Sequence, residues 1–176
     1  GSAMKILYLD CAMGAAGDML AAALLELLDD PAAFVAELNA LGLPGVVYTA
    51  EPSTKCGIRG THLHVTVHGK AEGDHDHDHH DHHEHHEHHE HHHHHTMADI
   101  EAIVRGSALP ERVQTSVLAV YERIAQAESR VHGESVEEIH FHEVGALDAV
   151  ADIAAVSLLM DRLGADEIVC SPVHVG

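Results

Sequence analysis

Hydrophobic and polar positions along the first quarter of the chain predict one strand followed by two helices. Residues 5–10 form a short apolar run with β-branched and aromatic members, which is typical of a buried strand. The Ala- and Leu-rich residues 18–30 predict a helix directly after a glycine-containing turn. Pro31 then opens a second helical pattern, which Gly42 and Pro44 end.

The next part of the chain has the period of extended structure. Residues 46–50 are apolar, and residues 61–68 alternate histidine and threonine with leucine and valine, so both predict strands. Residues 51–60 lie between them and contain Gly57 and Gly60, which indicates a turn or loop.

The second half of the chain returns to helical periodicity. Thr96 is a candidate N-cap, with Asp99 three residues later, for a short helix. Pro110 starts a longer helix that Gly133 closes. Residues 140–164 predict a short extended piece and a last helix.

Residues 166–175 predict a final strand, so the order of elements indicates an α/β or α+β fold, a small mixed β-sheet covered by helices. Residues 1–3 have the composition of a cloning remnant. We expect residues 4–176 to form a single N-terminal domain, and the abrupt end at Gly176 suggests a longer protein.

Residues 74–95 contain only histidine and acidic residues: fifteen His, four Asp and three Glu. They have no apolar side chain to bury, so we predict an inserted, disordered His-rich loop, the His tract. Imidazole is the commonest ligand for nickel, copper, zinc and cobalt, which indicates a metal-collecting loop that does not by itself choose among them. A solvated linker is the alternative, and the internal position argues against a purification tag. Its first candidate ligands are His75, His77, His79, His80, His82 and His83.

The charge of the chain restricts its partners. The formal charge is −20, and it is still −13 when the seven acids of the His tract are removed. This argues against nucleic acid or an anionic membrane as a partner, because both require a basic surface. Cys11, Cys56 and Cys170 have no CxxC spacing, and no secretory signal or long apolar run is present, so we expect a cytoplasmic protein.

The first candidate site is the glycine-rich turn between the first strand and the first helix. Gly14 and Gly17 allow a close backbone approach, and amides at a helix start can face a phosphate. Asp10 and Asp18 bracket the turn and could hold a divalent cation. The alternative is that the acids cap the helix and the glycines only permit packing.

The second candidate site follows the penultimate helix. His140 and His142 share one face if the segment is extended, and Glu143 follows them. Asp148 and Asp152 are four residues apart, so they share one face of the last helix. We interpret these five residues as metal ligands, with a purely structural role for the two aspartates as the alternative.

With both segments in hand, the chain resembles the N-terminal part of the nickel-insertion proteins that mature the lactate racemase cofactor. Residues 10–19 match the family segment D-C-x-x-G-x-x-G-D-M, and residues 140–148 match H-F-H-E-V-G-A-x-D. Many members carry a His-rich insertion between the two, and residues 171–176 resemble the family's SPxxxG segment.

The resemblance implies a CTP-dependent cyclometallase, a nickel chelatase of the lyase class. Such an enzyme inserts Ni²⁺ into a pyridinium bis-thiocarboxylate mononucleotide to give a nickel pincer nucleotide, and CTP ends as CMP and pyrophosphate. Mn²⁺ or Mg²⁺ assists, the C-terminal domain of the same protein is a partner, and a homo-oligomer is compatible with this interpretation. The candidate catalytic residues are Asp10, Asp18, His142 and Glu143, and Gly14 and Gly17 would bind the phosphate-bearing group.

Two functions of other classes remain open from the residues alone. One is a non-catalytic nickel store or metallochaperone, in which the folded part only carries the His tract. The other is a metal-dependent phosphohydrolase built on the two acidic segments. In each enzymatic interpretation we expect the opening turn and residues 140–152 to form one site at the carboxyl end of the first strand.

Overall fold

The structure is a computed structural model that describes residues 17–55, 58–68, 70–71, 95–141 and 145–164. It contains five helices and five strands in these ranges, with a 3₁₀ turn at Val136–Glu138. The helices are α1 (Gly17–Glu26), α2 (Pro31–Asn39), α3 (Met97–Arg105), α4 (Glu111–His132) and α5 (Leu147–Leu163). The strands are β1 (Val46–Lys55), β2 (Ile58–Val67), β3 (Lys70–Ala71), β4 (His95–Thr96) and β5 (His140–Phe141).

The ends of the helices follow the capping signals of the sequence. The Asp30 side chain accepts a hydrogen bond of 3.1 Å from the backbone N–H of Ala33, with Pro31 at the first helical position. Thr96 and Asp99 form a reciprocal capping box at the start of α3. Gly133 ends α4 in the left-handed conformation, so the predicted starts of α2 and α3 and the predicted end of α4 are confirmed.

The strands form two antiparallel sheets in the described part of the chain. One has the order β1-β2-β3, and the other pairs β4 with β5. An α+β arrangement is therefore confirmed at this level. The predicted strands at residues 5–10 and 166–175, which would make the sheet mixed, lie outside the described ranges, as do residues 74–94 of the His tract.

The loop predicted over residues 51–60 is wrong. β1 and β2 pair along their whole length from Val46↔Val67 to Lys55↔Ile58, so only residues 56 and 57 separate the strands. Pro52 lies within β1, which is an edge strand among the described strands, and an edge strand tolerates a missing backbone N–H. Backbone pairing with β2 therefore overrides the weak strand propensity of this stretch.

The core is organised around α5. Its residues from Val150 to Met160 are buried except Asp152, so this helix is covered on most of its circumference. Helices α1 and α4 pack against α5, and β2 packs against α1 and α5. None of the helices in the described ranges is long and apolar enough to cross a lipid bilayer.

Polar contacts fix the elements around this core. The Asn39 side chain donates to the carbonyl of Tyr48 and accepts from its N–H, both at 2.8 Å, which joins the end of α2 to β1. The guanidinium of Arg112 donates to both carboxylate oxygens of Asp161 at 2.6 and 2.7 Å, which joins α4 to the end of α5.

Candidate functional site

Asp148 and Asp152 lie in the first two turns of α5, as predicted. Both side chains are partly buried, and their spacing places them on one face of the helix. The Asp148 carboxylate accepts a hydrogen bond of 2.9 Å from the N–H of Ala149, and its position in the first turn suits the positive end of the helix dipole. The face that these two residues share is called the acidic face of α5 below.

Two buried tyrosines adjoin the acidic face, and the sequence reasoning missed both. Tyr48 and Tyr121 are only 2% and 0% exposed. The Tyr48 hydroxyl donates a hydrogen bond of 2.7 Å to the carbonyl of Ala151, which lies on α5 between the two aspartates. The sequence contained a signal for them, since the whole chain has only three tyrosines and no tryptophan. A tyrosine hydroxyl that is buried needs a hydrogen-bond partner, so each tyrosine was a candidate for a polar contact in the core.

The charges of the acidic face act on these hydroxyls. Burial raises the pKa of Tyr48, and the negative charge of Asp152 raises it further. Burial likewise raises the pKa of Tyr121, with smaller contributions from Asp148 and Asp152. Both tyrosines therefore remain neutral hydrogen-bonding groups beside two carboxylates.

The short strand β5 presents its two residues to opposite sides. His140 is exposed, whereas Phe141 is buried and packs edge-on against Tyr121 with ring centroids 5.4 Å apart. Phe141 thus points toward the tyrosine beside the acidic face, and His140 points toward solvent. The predicted ligands His142 and Glu143 lie outside the described residues.

The last residue of the His tract is part of the fold. His95 pairs with Phe141, and Thr96 pairs with His140, in the sheet of β4 and β5. Hydrogen bonds from the backbone N–H and then the hydroxyl of Thr96 lower the pKa of Asp99, and the charges of His95 and His140 act in the same direction. The tract therefore ends beside the His140 segment, a placement that the sequence did not predict.

Gly145 is fixed by close packing against this sheet. A methyl group on its Cα would overlap Cβ of Phe141 and lie 3.7 Å from Cβ of His95. Only glycine fits there without a shift of the backbone, because Cβ of Phe141 is attached rigidly to β5. This contact brings the start of α5 against β4 and β5.

The opening turn is described only at its end. Gly17 begins α1, and Asp18 is in its first turn, whereas Asp10 and Gly14 lie outside the described ranges. Since α1 packs against α5, the helix that follows the turn contacts the helix with the acidic face. That the two segments form one site stays a prediction.

The other predicted ligands are dispersed or lie outside the description. His75, His77, His79, His80, His82 and His83 belong to the undescribed part of the His tract. Within the described ranges, no three His, Cys, Asp or Glu side chains are grouped to hold a metal ion. The described members of the ligand set predicted over residues 140–152 are His140, Asp148 and Asp152, and the complete set stays a prediction.

Comparison with known proteins places the chain among nickel-handling sequences. The family model described as "Nickel insertion protein" matches residues 7–176. A protein of Acetivibrio thermocellus named pyridinium-3,5-bisthiocarboxylic acid mononucleotide nickel insertion protein is 38% identical over 98% of this chain and 40% of its own length. A protein of the same name from Clostridium kluyveri is 40% identical over 98% of this chain and 41% of its own length.

A third relative of that name, from Desulfitobacterium hafniense, is 38% identical over 98% of the chain and 38% of its own length. The chain therefore spans about two fifths of the length of these curated relatives. No solved structure matches the chain.

Proposed function

The chain belongs to the nickel insertion protein family, and from that premise we propose that it is the N-terminal portion of a CTP-dependent nickel chelatase. Its substrates would be Ni²⁺ and pyridinium-3,5-bisthiocarboxylic acid mononucleotide, and its product the nickel pincer nucleotide of lactate racemase. The observation that supports this most is the 38–40% identity to relatives of that name over 98% of the chain. We expect the protein to act in the cytoplasm.

The acidic face of α5 fits a hard divalent ion such as Mn²⁺ or Mg²⁺. Carboxylate oxygens are the ligands that these ions prefer, and Asp148 and Asp152 lie one turn apart on one face. An ion held there would neutralise charge on the phosphates of CTP or of the mononucleotide. It would also reduce the repulsion between the two carboxylates, which is screened less by water because both side chains are partly buried.

Other residues of the chain would bind the phosphate, remove the ring proton and position the acidic face. Gly14, Gly17 and the first amides of α1 would bind a phosphate, because helix starts attract anions. Forming a carbon–nickel bond requires the loss of a ring proton, for which His142, Glu143 and Asp10 are the candidate bases. Tyr48 and Tyr121 would position the acidic face by packing, since both are buried and Tyr48 binds the backbone of α5.

The His tract would supply the nickel substrate. Its imidazoles suit Ni²⁺, and His95 joins its end to the sheet that contains His140. Nickel collected by the tract would thus be concentrated beside the segment that contains His142 and Glu143. The remaining three fifths of the relatives' length would be the partner domain that completes the enzyme.

The test is nickel insertion into the mononucleotide with CTP and Mn²⁺, with the whole-length Clostridium kluyveri relative as positive control. We expect Asp148→Asn and Asp152→Asn, introduced into the protein that contains this chain, each to lower the rate by about 100-fold or more. The matched control is Glu122→Gln, since Glu122 is an exposed acid on α4. Full activity in both aspartate variants would reject the proposed site, and no insertion by the unsubstituted protein would reject the function.

A nickel store is the second candidate, and the unusual composition of the His tract favours it. A store would lose its nickel capacity when the tract histidines are replaced. An enzyme would lose activity at low nickel and keep it at saturating nickel. Insertion assays at two nickel concentrations therefore separate the two functions.

A further inference from the structure

Two histidines share the outer face of β2. Leu63 and Val65 are buried on the inner face of this strand, whereas His62 and His64 alternate with them and are only partly buried. Their ring centroids are 6.1 Å apart, with an angle of 44° between the ring planes. The two imidazoles are thus neighbours on a rigid, fully paired strand.

This spacing suits one shared metal ion. Two imidazoles that bind the same ion at ~2.0–2.1 Å have ring centroids roughly 4.5–6.4 Å apart, depending on the angle at the metal. The observed separation lies at the wide end of this range. To share an ion at a tetrahedral or right angle, the two rings would have to turn toward each other until their centroids were roughly 4.5–5.2 Å apart.

The neighbours of the pair on β1 are compatible with a cation. Glu51 lies directly across from His62 in the register, and Thr49 lies across from His64. Glu51 is exposed, so its carboxylate can approach an ion at this face or accept a hydrogen bond from His62. Directly opposite side chains in an antiparallel pair are close enough for such contacts.

His68, the next histidine along, does not extend the pair. It follows the end of β2 with a positive φ of 52° and donates its backbone N–H to the carbonyl of Gly45 at 2.8 Å. Its ring lies against Gly45, where a side chain would overlap it. The strand predicted over residues 61–68 would have placed His68 on the same face as the pair, but β2 ends at Val67.

The path of the chain links the pair to the His tract. β3 pairs with β2 so that Ala71 lies opposite Thr66, which is two residues from His64 and on the same face. The tract begins at Asp74, three residues after Ala71, which is roughly 10 Å of extended chain. The pair therefore lies on the strand that neighbours the last described residues before the tract.

We propose that His62 and His64 form a two-imidazole site for a late first-row transition-metal ion, through which nickel passes between the His tract and the folded domain. Two protein ligands leave most coordination positions open, so an ion would bind weakly and exchange readily. The existence of the site is independent of the chemistry above. Its role as a transfer point rests on the proposed function.

The test is calorimetric titration with Ni²⁺ of the whole chain in which every histidine between residues 74 and 95 is replaced by Asn. We expect a remaining nickel equivalent whose affinity falls tenfold or more on adding His62→Gln and His64→Gln. The matched control is His68→Asn, because it removes a neighbouring histidine off this face and Asn tolerates a positive φ. Equal nickel binding with and without His62 and His64 would overturn the proposal.

A second measurement uses the unaltered chain, in case replacement of the tract histidines prevents folding. Ni²⁺ is expected to shift or broaden the imidazole NMR signals of His62 and His64 before those of His132 on α4. Unchanged signals of both rings would contradict the site.

An insertion assay separates this inference from the proposed function. Nickel binding at the pair without any insertion activity would keep the site and reject the function. Slower insertion by the His62→Gln, His64→Gln variant only at limiting nickel would support the transfer role, and an unchanged rate there would reject that role alone.

Discussion

At the scale of single residues, the acidic face of α5 and the two tyrosines form one electrostatic unit. The hydroxyl of Tyr48 donates to the carbonyl of Ala151, between Asp148 and Asp152. This hydrogen bond connects β1 to the turn of α5 that contains the two aspartates. The carboxylates in turn disfavour ionisation of both hydroxyls. Burial and the nearby carboxylates therefore both keep the two phenols in their neutral form.

We predict that Tyr48 and Tyr121 ionise only when the protein unfolds. Burial first, and the acidic face second, raise the pKa of each phenol above its ordinary value. A raised pKa in the folded state contributes stability that is complete below the unfolded value of ~10 and is lost as the pH rises above it. In a Tyr8→Phe background, tyrosinate absorbance should therefore appear in one cooperative step with the loss of helical circular dichroism. Gradual ionisation in a protein that keeps its helices would contradict this.

At the scale of elements, local signals predicted the helices and tertiary pairing decided the strands. Pro31, Thr96 and Gly133 act within one turn of their own position, so the sequence alone indicates them. The extension of the hairpin across residues 51–60 depends on pairing between the two strands, from Glu51↔His62 to Lys55↔Ile58, and the hydrophobic pattern of this stretch does not indicate it. The two-residue strands β4 and β5 are a stronger case, because their partners are separated by the whole of α3 and α4.

The capping box at Thr96 should stabilise both α3 and the end of the His tract. We expect Thr96→Ala to lower the free energy of unfolding by about 1 kcal/mol, while Thr96→Ser keeps most of it, because serine can accept the same hydrogen bond. The pKa of Asp99 is lowered by Thr96, so its contribution is present above the unfolded value of ~3.9 and lost as the pH falls. Denaturant unfolding should thus show a difference between Thr96→Ala and the unsubstituted protein that shrinks in acid. An equal loss in Thr96→Ser would contradict the cap.

At the scale of the whole molecule, the sequence predicts which residues could form the candidate site better than it predicts how they are arranged. The His tract, the acidic pair and the glycine turn each lie within one short segment of the sequence, so composition and spacing reveal each of them. Tyr48 and Tyr121 come from β1 and α4, and both lie beside the acidic face only because β1 and α4 pack against α5. The alternation of residues 61–68 indicates that His62 and His64 share a face, but only the register with β3 relates them to the start of the tract.

We predict that the His tract binds several nickel ions weakly and contributes little to folding. Replacing residues 75–94 with Gly and Ser of equal length, while keeping His95 in β4, should lower the number of bound nickel ions and leave the metal-free thermal midpoint nearly unchanged. Nickel binding by the unsubstituted chain should be lost below about pH 6, as imidazole protonates near ~6.5. Calorimetry and thermal melts check both parts. A midpoint lower by many degrees would show that the tract packs against the domain.

The packing of Gly145 against Phe141 has a consequence for how this lineage can evolve. Neighbouring residues of this segment would be under different constraints. On the proposed function, His142 and Glu143 would be needed for nickel chemistry, whereas Gly145 would be needed because the fold has no room for a side chain there. A duplicated gene whose product no longer handles nickel could change His142 and Glu143. Changes at Gly145 would still be selected against, because they would disturb the fold. Paralogues of that kind would keep Gly145 but lose the activity. The identities of His142 and Glu143, rather than that of Gly145, would therefore distinguish an active paralogue from an inactive one.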